Sequence, residues 1–346
     1  MIGVLDLNRR FVGCIISVIA VFVYFMSSQI SNENITRTTN DAVTSNNKIL
    51  DHTSNVRSVS FSHNTKYIVS GGGGEDKNYT IRLWDVQKGQ TIQIFEGHTK
   101  DIYSVAFSKN DRFLISGSGD KTIRVWNVDT GECIQTLTGH TDVVNSVVFS
   151  SSNIIVSGSK DKTIRVWNVE TGECIQTLKG HTRSVNAVSF SSTTKGTKYI
   201  VSGSRDKTVR IWNVDTGNCI KILKGHTSVV RSVAISKNNK YIVSGSHDFS
   251  IRLWNIDTGK CIKILKNHTS WVTAVAFSSI DPKYILSGSL DMTVCLWNIE
   301  LDTCVQMFQG HTSRVNTVAF SSSNLIVSGS LDNTVRVWEV DVLNNV

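Results

Sequence analysis

Seven times along this chain a histidine is followed 27 to 32 residues later by a tryptophan, and from each of the first six tryptophans the next histidine lies 14 residues on. The pairs are His52/Trp84, His98/Trp126, His140/Trp167, His181/Trp212, His226/Trp254, His268/Trp297 and His311/Trp338. The histidines thus recur every 41 to 46 residues. Self-similarity at that period marks a repeat architecture, in which each unit is too small to bury its own apolar face and must stack on its neighbours. The 346 residues are therefore expected to build mainly one stacked domain. Positions that recur serve the stack, and positions that change from copy to copy are free to serve a partner.

The stretch from Gly139 to Leu178 shows what one unit is. His140 and Thr141 open a turn, and Val144 to Phe149 alternates apolar with small polar residues, a strand signature. Ile154 to Ser157 gives a second short run, and Gly158, Ser159, Lys160 and Asp161 read as a tight turn. Thr163 to Val169 is β-branched and aromatic, a third strand; Glu170 to Glu173 turn again, and Cys174 to Leu178 makes a fourth. No stretch of the repeats shows the 3.6-residue period of an amphipathic helix. Four antiparallel strands repeated seven times predict an all-β, seven-bladed β-propeller.

The motifs that recur are Gly-His-Thr at the start of the unit, Ser-Gly-Ser-x-Asp-Lys-Thr in its middle and Ile-Arg-Val-Trp-Asn at its end; Asp120–Val128 and Asp161–Val169 are the same nine residues. This pattern resembles the WD-repeat propellers over roughly residues 43 to 341. The Trp-Asp pair itself survives only at Trp84-Asp85, with Trp-Asn or Trp-Glu elsewhere. Asp51 and Asn267 replace the glycine before His52 and His268, and the first repeat carries extra residues, including a four-glycine run from Gly71 that reads as a widened turn. Only eight residues follow Trp338, too few for a turn and a full strand. Ser45 to Leu50 is therefore expected to supply the outer strand of the last blade, the closure typical of the family, which removes a free sheet edge. The propeller is placed at residues 43–346, after a polar linker at 27–42 and a hydrophobic N-terminal segment at 1–26.

Ser, His and Asp recur together, as His140, Ser157 and Asp161, then His181, Ser202 and Asp206. A hydrolase triad uses the same residue types. A nucleophile, however, works in one pocket with one oxyanion hole, and this set is present at least six times. The resemblance implies a structural network instead: Asp161 and Asp206 orient His140 and His181, the histidines bond Ser157 and Ser202, and those serines accept from the indoles of Trp167 and Trp212. No catalytic residue is assigned. No metal and no cofactor are expected, since histidines and cysteines lie a blade apart without Cys-x-x-Cys, and neither Gly-Lys-Ser/Thr nor a helix follows the glycine run.

The net charge is +8. Ten of the 36 basic residues recur at two positions, Lys after the turn Asp and Arg two before Trp, which spreads charge around a ring rather than concentrating it. That distribution, without aromatic-basic stacking motifs, argues against a nucleic-acid partner.

Partner contacts are expected at three variable columns: three and five residues after the turn His, and one before the turn Asp. They hold Arg57, Tyr103, Arg205, Arg231, His247, Trp271, Leu290, Arg314 and Leu331 as candidate partner-binding residues. Trp271 is the only tryptophan outside the structural column, and binding hot spots are enriched in Trp, Tyr and Arg. Trp271 with Leu290 and Leu331 would form an apolar floor, and Arg205, Arg231 and Arg314 would receive carboxylates or phosphates. The expected function is a non-catalytic scaffold for protein or peptide partners with an apolar anchor and acidic flanks. The competing readings are a structural component of a membrane coat or trafficking complex and a propeller enzyme using Glu75 or His247.

Two features disagree about compartment. Five of the seven cysteines, Cys133, Cys174, Cys219, Cys261 and Cys304, share one repeat position and are expected to be free thiols, favouring a reducing compartment. Cys295 is expected to lie opposite Phe308. Yet Arg9 and Arg10 precede an uncharged run, Phe11 to Met26, that reads as a signal anchor or single-pass membrane anchor, with a cleaved signal, a wrongly assigned start and a buried segment as alternatives. A spanning helix would send the propeller to the lumen or outside, where Asn34, Asn78 and Asn267 head glycosylation tripeptides. The alternative location is cytoplasmic.

Overall fold

In the computed structural model the described residues are 48–74, 77–150, 153–191 and 198–340. The segment 1–26, the linker and Asn34 lie outside them, as do Glu75 and Asp76. Among the described residues no helix is long and apolar enough to cross a membrane.

The strands form seven four-stranded antiparallel sheets. In blade 3 they are Val144–Phe149, Ile154–Ser159, Ile164–Asn168 and Cys174–Leu178, from the inside outwards. The inner strands of successive blades neighbour one another all the way round, so the ring closes on itself. Blade 7 takes Val315–Phe320, Leu325–Ser330 and Thr334–Glu339 from the C-terminal end and its outer strand, Lys48–Asp51, from the other. The register is Lys48↔Val337 through Asp51↔Thr334. Leu50 is buried against Val335 and Val337. The expected closure is present, with the described strand starting at Lys48.

The core lies between blades. Trp167 and Ile155 of blade 3 pack on Ile115, Ile123 and Val125 of blade 2, and the same arrangement recurs around the ring. This corrects the reading of Gly158 and Ser159 as a turn. Both belong to the second strand, and Gly158 lies so close to the next blade that a Cβ would sit 2.8 Å from Val185 Cγ1. Glycine is there for close approach rather than for bending. Gly71 does the same against Ile102 and Val105, and Gly71 and Gly72 end the strand Tyr67–Gly72, so the four-glycine run is half strand.

The glycine before the turn histidine has a comparable cause. A Cβ at Gly139 would meet the Arg165 guanidinium at 2.9 Å and the Trp167 ring at 3.2 Å, and Arg165 lies over that ring at 5.8 Å. The two exceptions fit this account. Where Asn267 replaces glycine, the arginine is replaced by Cys295. Where Asp51 replaces it, Arg82 donates to Thr53 Oγ1 instead.

Cys295 pairs with Met307, not Phe308. The register is set at the turn, where Asn298 faces Thr303 and Trp297 faces Cys304, and a bulge at Leu296/Trp297 then adds one residue, which brings Cys295 to Met307 and no further. Cys295 is buried; a hydrogen bond with the Cys304 thiol, together with burial, holds it protonated. The described cysteines are all free thiols.

Candidate functional site

The repeated polar residues form a closed network. In blade 3, His140 Nδ1 meets Asp161 Oδ2 at 2.7 Å, His140 Nε2 meets Ser157 Oγ at 2.8 Å, and the Trp167 indole N–H donates to Ser157 Oγ at 2.8 Å. In blade 4, His181, Asp206, Ser202 and Trp212 repeat it. The same four-residue chain stands in blades 2, 5, 6 and 7. Burial acts to raise the Asp161 carboxyl, but hydrogen bonds from His140 and Thr163 outweigh it and hold the acid well below the usual range. Ser157 is 0% exposed and shared between an imidazole and an indole, so no substrate reaches it.

Blade 1 departs. Trp84 still donates to Ser70 Oγ at 2.7 Å, but His52 Nδ1 accepts from the Ser54 amide and His52 Nε2 has no partner among the described residues. Burial, then the charge of Arg82, lowers His52 to about 4, with the Ser54 amide opposing.

The asp-side turn also fixes where the variable residues go. In each of blades 2 to 7, the amide before the turn Asp donates to the carbonyl three residues after the turn His, as Lys160 to Val143, Arg205 to Ser184, His247 to Val229, Leu290 to Trp271 and Leu331 to Arg314. Two of the three columns are therefore stitched together by backbone, and the third begins the inner strands beside them.

The third column divides in two. Asn145 donates to Val185 O at 2.9 Å, Asn186 to Val230 O at 2.9 Å and Asn316 to Val56 O at 2.7 Å; Thr273 reaches Val315 O in the same way. These four residues tie each blade to the next. Tyr103 and Arg231 make no such tie, and Arg57 reaches the next blade by side-chain contacts rather than through a backbone carbonyl. It bonds Asp101 at 2.7 Å and lies over the Tyr103 ring at 4.9 Å.

The guanidinium groups of Arg231 and Arg314 have no hydrogen-bond partner among the described residues. Protein surrounds Arg231 on nearly every side, while solvent still reaches it. Burial, then the charges of Arg314 and Arg57, pulls it below the ordinary arginine value, with Tyr103 opposing. Burial, then Arg57, does the same to Arg314. Arg231 of blade 5 thus feels the charges of arginines from blades 7 and 1.

Trp271 is 41% exposed and stacks on His247 of the preceding blade, with centroids 4.1 Å apart and planes within 7°. Burial, then Arg231 and Arg205, lowers His247 to about 4, with Asp248 opposing. The imidazole is therefore neutral near pH 7 and acts as an aromatic face. Sequence reasoning placed both residues but missed the stack, because they lie 24 residues apart in different blades. Arg205 is exposed at the rim, and Leu290 and Leu331 are half-buried. The structure brings Leu290 to Trp271 through backbone, whereas Leu331 pairs with Arg314. The residues gathered here form an aromatic ledge with a basic arc beside it. Among the described residues no group of three or more His, Cys, Asp or Glu is placed to hold a metal.

Comparison with known families agrees with this architecture. Residues 144–345 match the model of the TEP-1 second beta-propeller. Residues 44–85 and 89–127 match the WD domain, G-beta repeat. No curated protein matches the chain.

Proposed function

Because the chain belongs to the TEP-1 second beta-propeller family of WD-repeat propellers, we propose that it is a non-catalytic interaction scaffold receiving peptide or protein partners on the loop face around Trp271. One observation carries the reading: a large aromatic side chain, absent from the equivalent position of every other blade, is left exposed and held flat by His247. An exposed tryptophan with a fixed orientation offers contact area at little ordering cost. The partner is a peptide with an apolar anchor for Trp271 and acidic flanks for the arginines, Arg205 at the rim foremost.

The test is selection from a random peptide library on the intact protein. Selected peptides should combine an aromatic or aliphatic anchor with Asp or Glu. Trp271→Ala should weaken them at least tenfold while leaving the melting temperature nearly unchanged. Undiminished binding by the variant would end this reading.

The outer strands favour a second reading, a structural component of a coat or trafficking complex. They expose Ile220, Ile222, Ile262 and Ile264, each between 45% and 48%, around the perimeter. Ile222→Lys with Ile264→Lys should then abolish concentration-dependent assembly in sedimentation; a monomer at all concentrations removes that reading. We also propose membrane attachment through residues 11–26. A glycosidase-sensitive mass shift from Asn34, Asn78 or Asn267 supports it, and an unglycosylated, soluble chain counts against it.

A further inference from the structure

Blade 6 breaks the repeat at two positions that meet on a third. In blade 3 a Cβ on Gly139 would lie 2.9 Å from Arg165 Nη1, and Arg165 Nη1 lies 3.6 Å from Cys174 Sγ. Blade 5 repeats the arrangement, with Gly225 close against Arg252 and Arg252 Nη1 3.7 Å from Cys261 Sγ. In blade 6 the same three positions hold Asn267, Cys295 and Cys304. The guanidinium is gone, and a second thiol stands at its position. Cys295, on the strand Val294–Asn298, is buried in one cluster with Trp297, and half-buried Cys304, on Thr303–Phe308, packs against that cluster. Cys304 faces Trp297 across the hairpin, and Cys295 lies two residues from Trp297, on the same side of its strand. The two thiols share a hydrogen bond, and the Asn267 side chain also bonds Cys304. Among the described residues no other blade holds two cysteines.

We propose that Cys304 and Cys295 are a redox-active dithiol, with Cys304 the thiol that reacts with a hydroperoxide and Cys295 the partner that closes the disulfide. Solvent reaches Cys304 and not Cys295. The hydrogen bond from Cys295 outweighs burial and draws Cys304 below the ordinary thiol value, whereas that bond and burial keep Cys295 protonated. The thiolate is the nucleophile. The Cys304 thiolate attacks one peroxide oxygen and the O–O bond breaks. The leaving alkoxide, or hydroxide from hydrogen peroxide, takes up the proton that Cys304 shed, and Cys304 becomes a sulfenic acid. Cys295 Sγ then attacks Cys304 Sγ while its proton passes to the departing hydroxyl. The S–S bond forms, the S–O bond breaks and water leaves. Two thiols lose two electrons, and one hydroperoxide is reduced to an alcohol and water, or to two waters. Cys174 and Cys261 sit beside arginines and have no second thiol, so the closing step is absent there. The assignment uses no residue of the peptide site around Trp271, and either can fail without the other.

The test is oxidation of the intact protein with a small excess of hydrogen peroxide near neutral pH, followed by alkylation of the remaining thiols and peptide mapping. Trypsin leaves both cysteines in the peptide from Tyr284 to Arg314, and cleavage after Glu300 separates them. The two fragments should stay joined after oxidation and part on treatment with dithiothreitol, while Cys174 and Cys261 remain open to alkylation. Before oxidation, iodoacetamide should modify Cys304 at least tenfold faster than Cys174. In Cys295→Ser the link should be lost and dimedone should trap a sulfenic acid at Cys304; Cys295→Ala should do the same without placing a hydroxyl in the core. In Cys304→Ser, Cys295 should stay reduced. The link should form at least tenfold faster in the folded protein than in urea. Fragments that separate without reductant after oxidation would overturn the assignment, as would Cys174 and Cys261 oxidising as fast as Cys304. So would equal rates of linking in folded and unfolded chains, the mark of mere closeness in sequence.

Discussion

Ser157 accepts the Trp167 indole N–H and meets His140 Nε2, so alanine there strands two buried groups at once. Each unsatisfied group costs about 1–3 kcal/mol. Ser70 holds only Trp84, because His52 Nε2 is already without a described partner. Ser157→Ala should therefore lower the urea midpoint clearly more than Ser70→Ala, and equal losses would contradict the network account. The pH dependence follows from the same residues. His52, His181 and His311 are lowered in the folded state chiefly by burial, as is His247. A lowered histidine contributes stability that is fully present above about pH 6.5. For His52 and His247 that contribution is lost as pH falls through about 4. The lowered carboxyls, Asp161 among them, give stability that is complete above about pH 4 and disappears in stronger acid. The melting temperature should be flat from pH 7 to 8 and should fall progressively below 6.5; a maximum near pH 5 would contradict these signs.

At the scale of elements, the chain is tied by contacts that act between blades. The strand Lys48–Asp51 completes blade 7 and buries Leu50. A chain beginning at His52 should lose several kcal/mol of stability, about 2–3 of it from Leu50 alone, and should associate through the exposed edge of Thr334–Glu339. Size-exclusion chromatography and denaturant unfolding check this, and an unchanged monomer would contradict it. Strand identity was legible in the sequence because apolar alternation and β-branching repeat seven times. Strand ends were less so. Gly158 and Ser159 look like a turn to any local rule, and only the packing of Val185 from another blade makes them strand. The bulge that sets Cys295 against Met307 was hidden for a similar reason. A one-residue slip leaves no mark in composition.

For the whole molecule, the repeat count was enough to give seven blades, and the short stretch after Trp338 together with the strand-like segment before His52 pointed to their closure. The candidate site was legible only as positions. The sequence located Arg57, Tyr103, Arg231, His247, Trp271 and Arg314 in variable columns, yet could not say which variable residues face the adjoining blade. Asn186 occupies the same repeat position as Arg231, but Asn186 bonds the Val230 carbonyl of the next blade and the Arg231 side chain makes no such bond. Long-range pairings such as His247 on Trp271 depend on the ring's curvature, which no local pattern encodes. The central claim is a division of labour between recurring and singular positions. Its most direct measurement pairs Ser157→Ala with Trp271→Ala and reads both unfolding free energy and affinity for a selected peptide. The account predicts that Ser157→Ala loses stability and keeps affinity below its melting point, while Trp271→Ala keeps stability and loses affinity at least tenfold. Both variants losing the same quantity would contradict it.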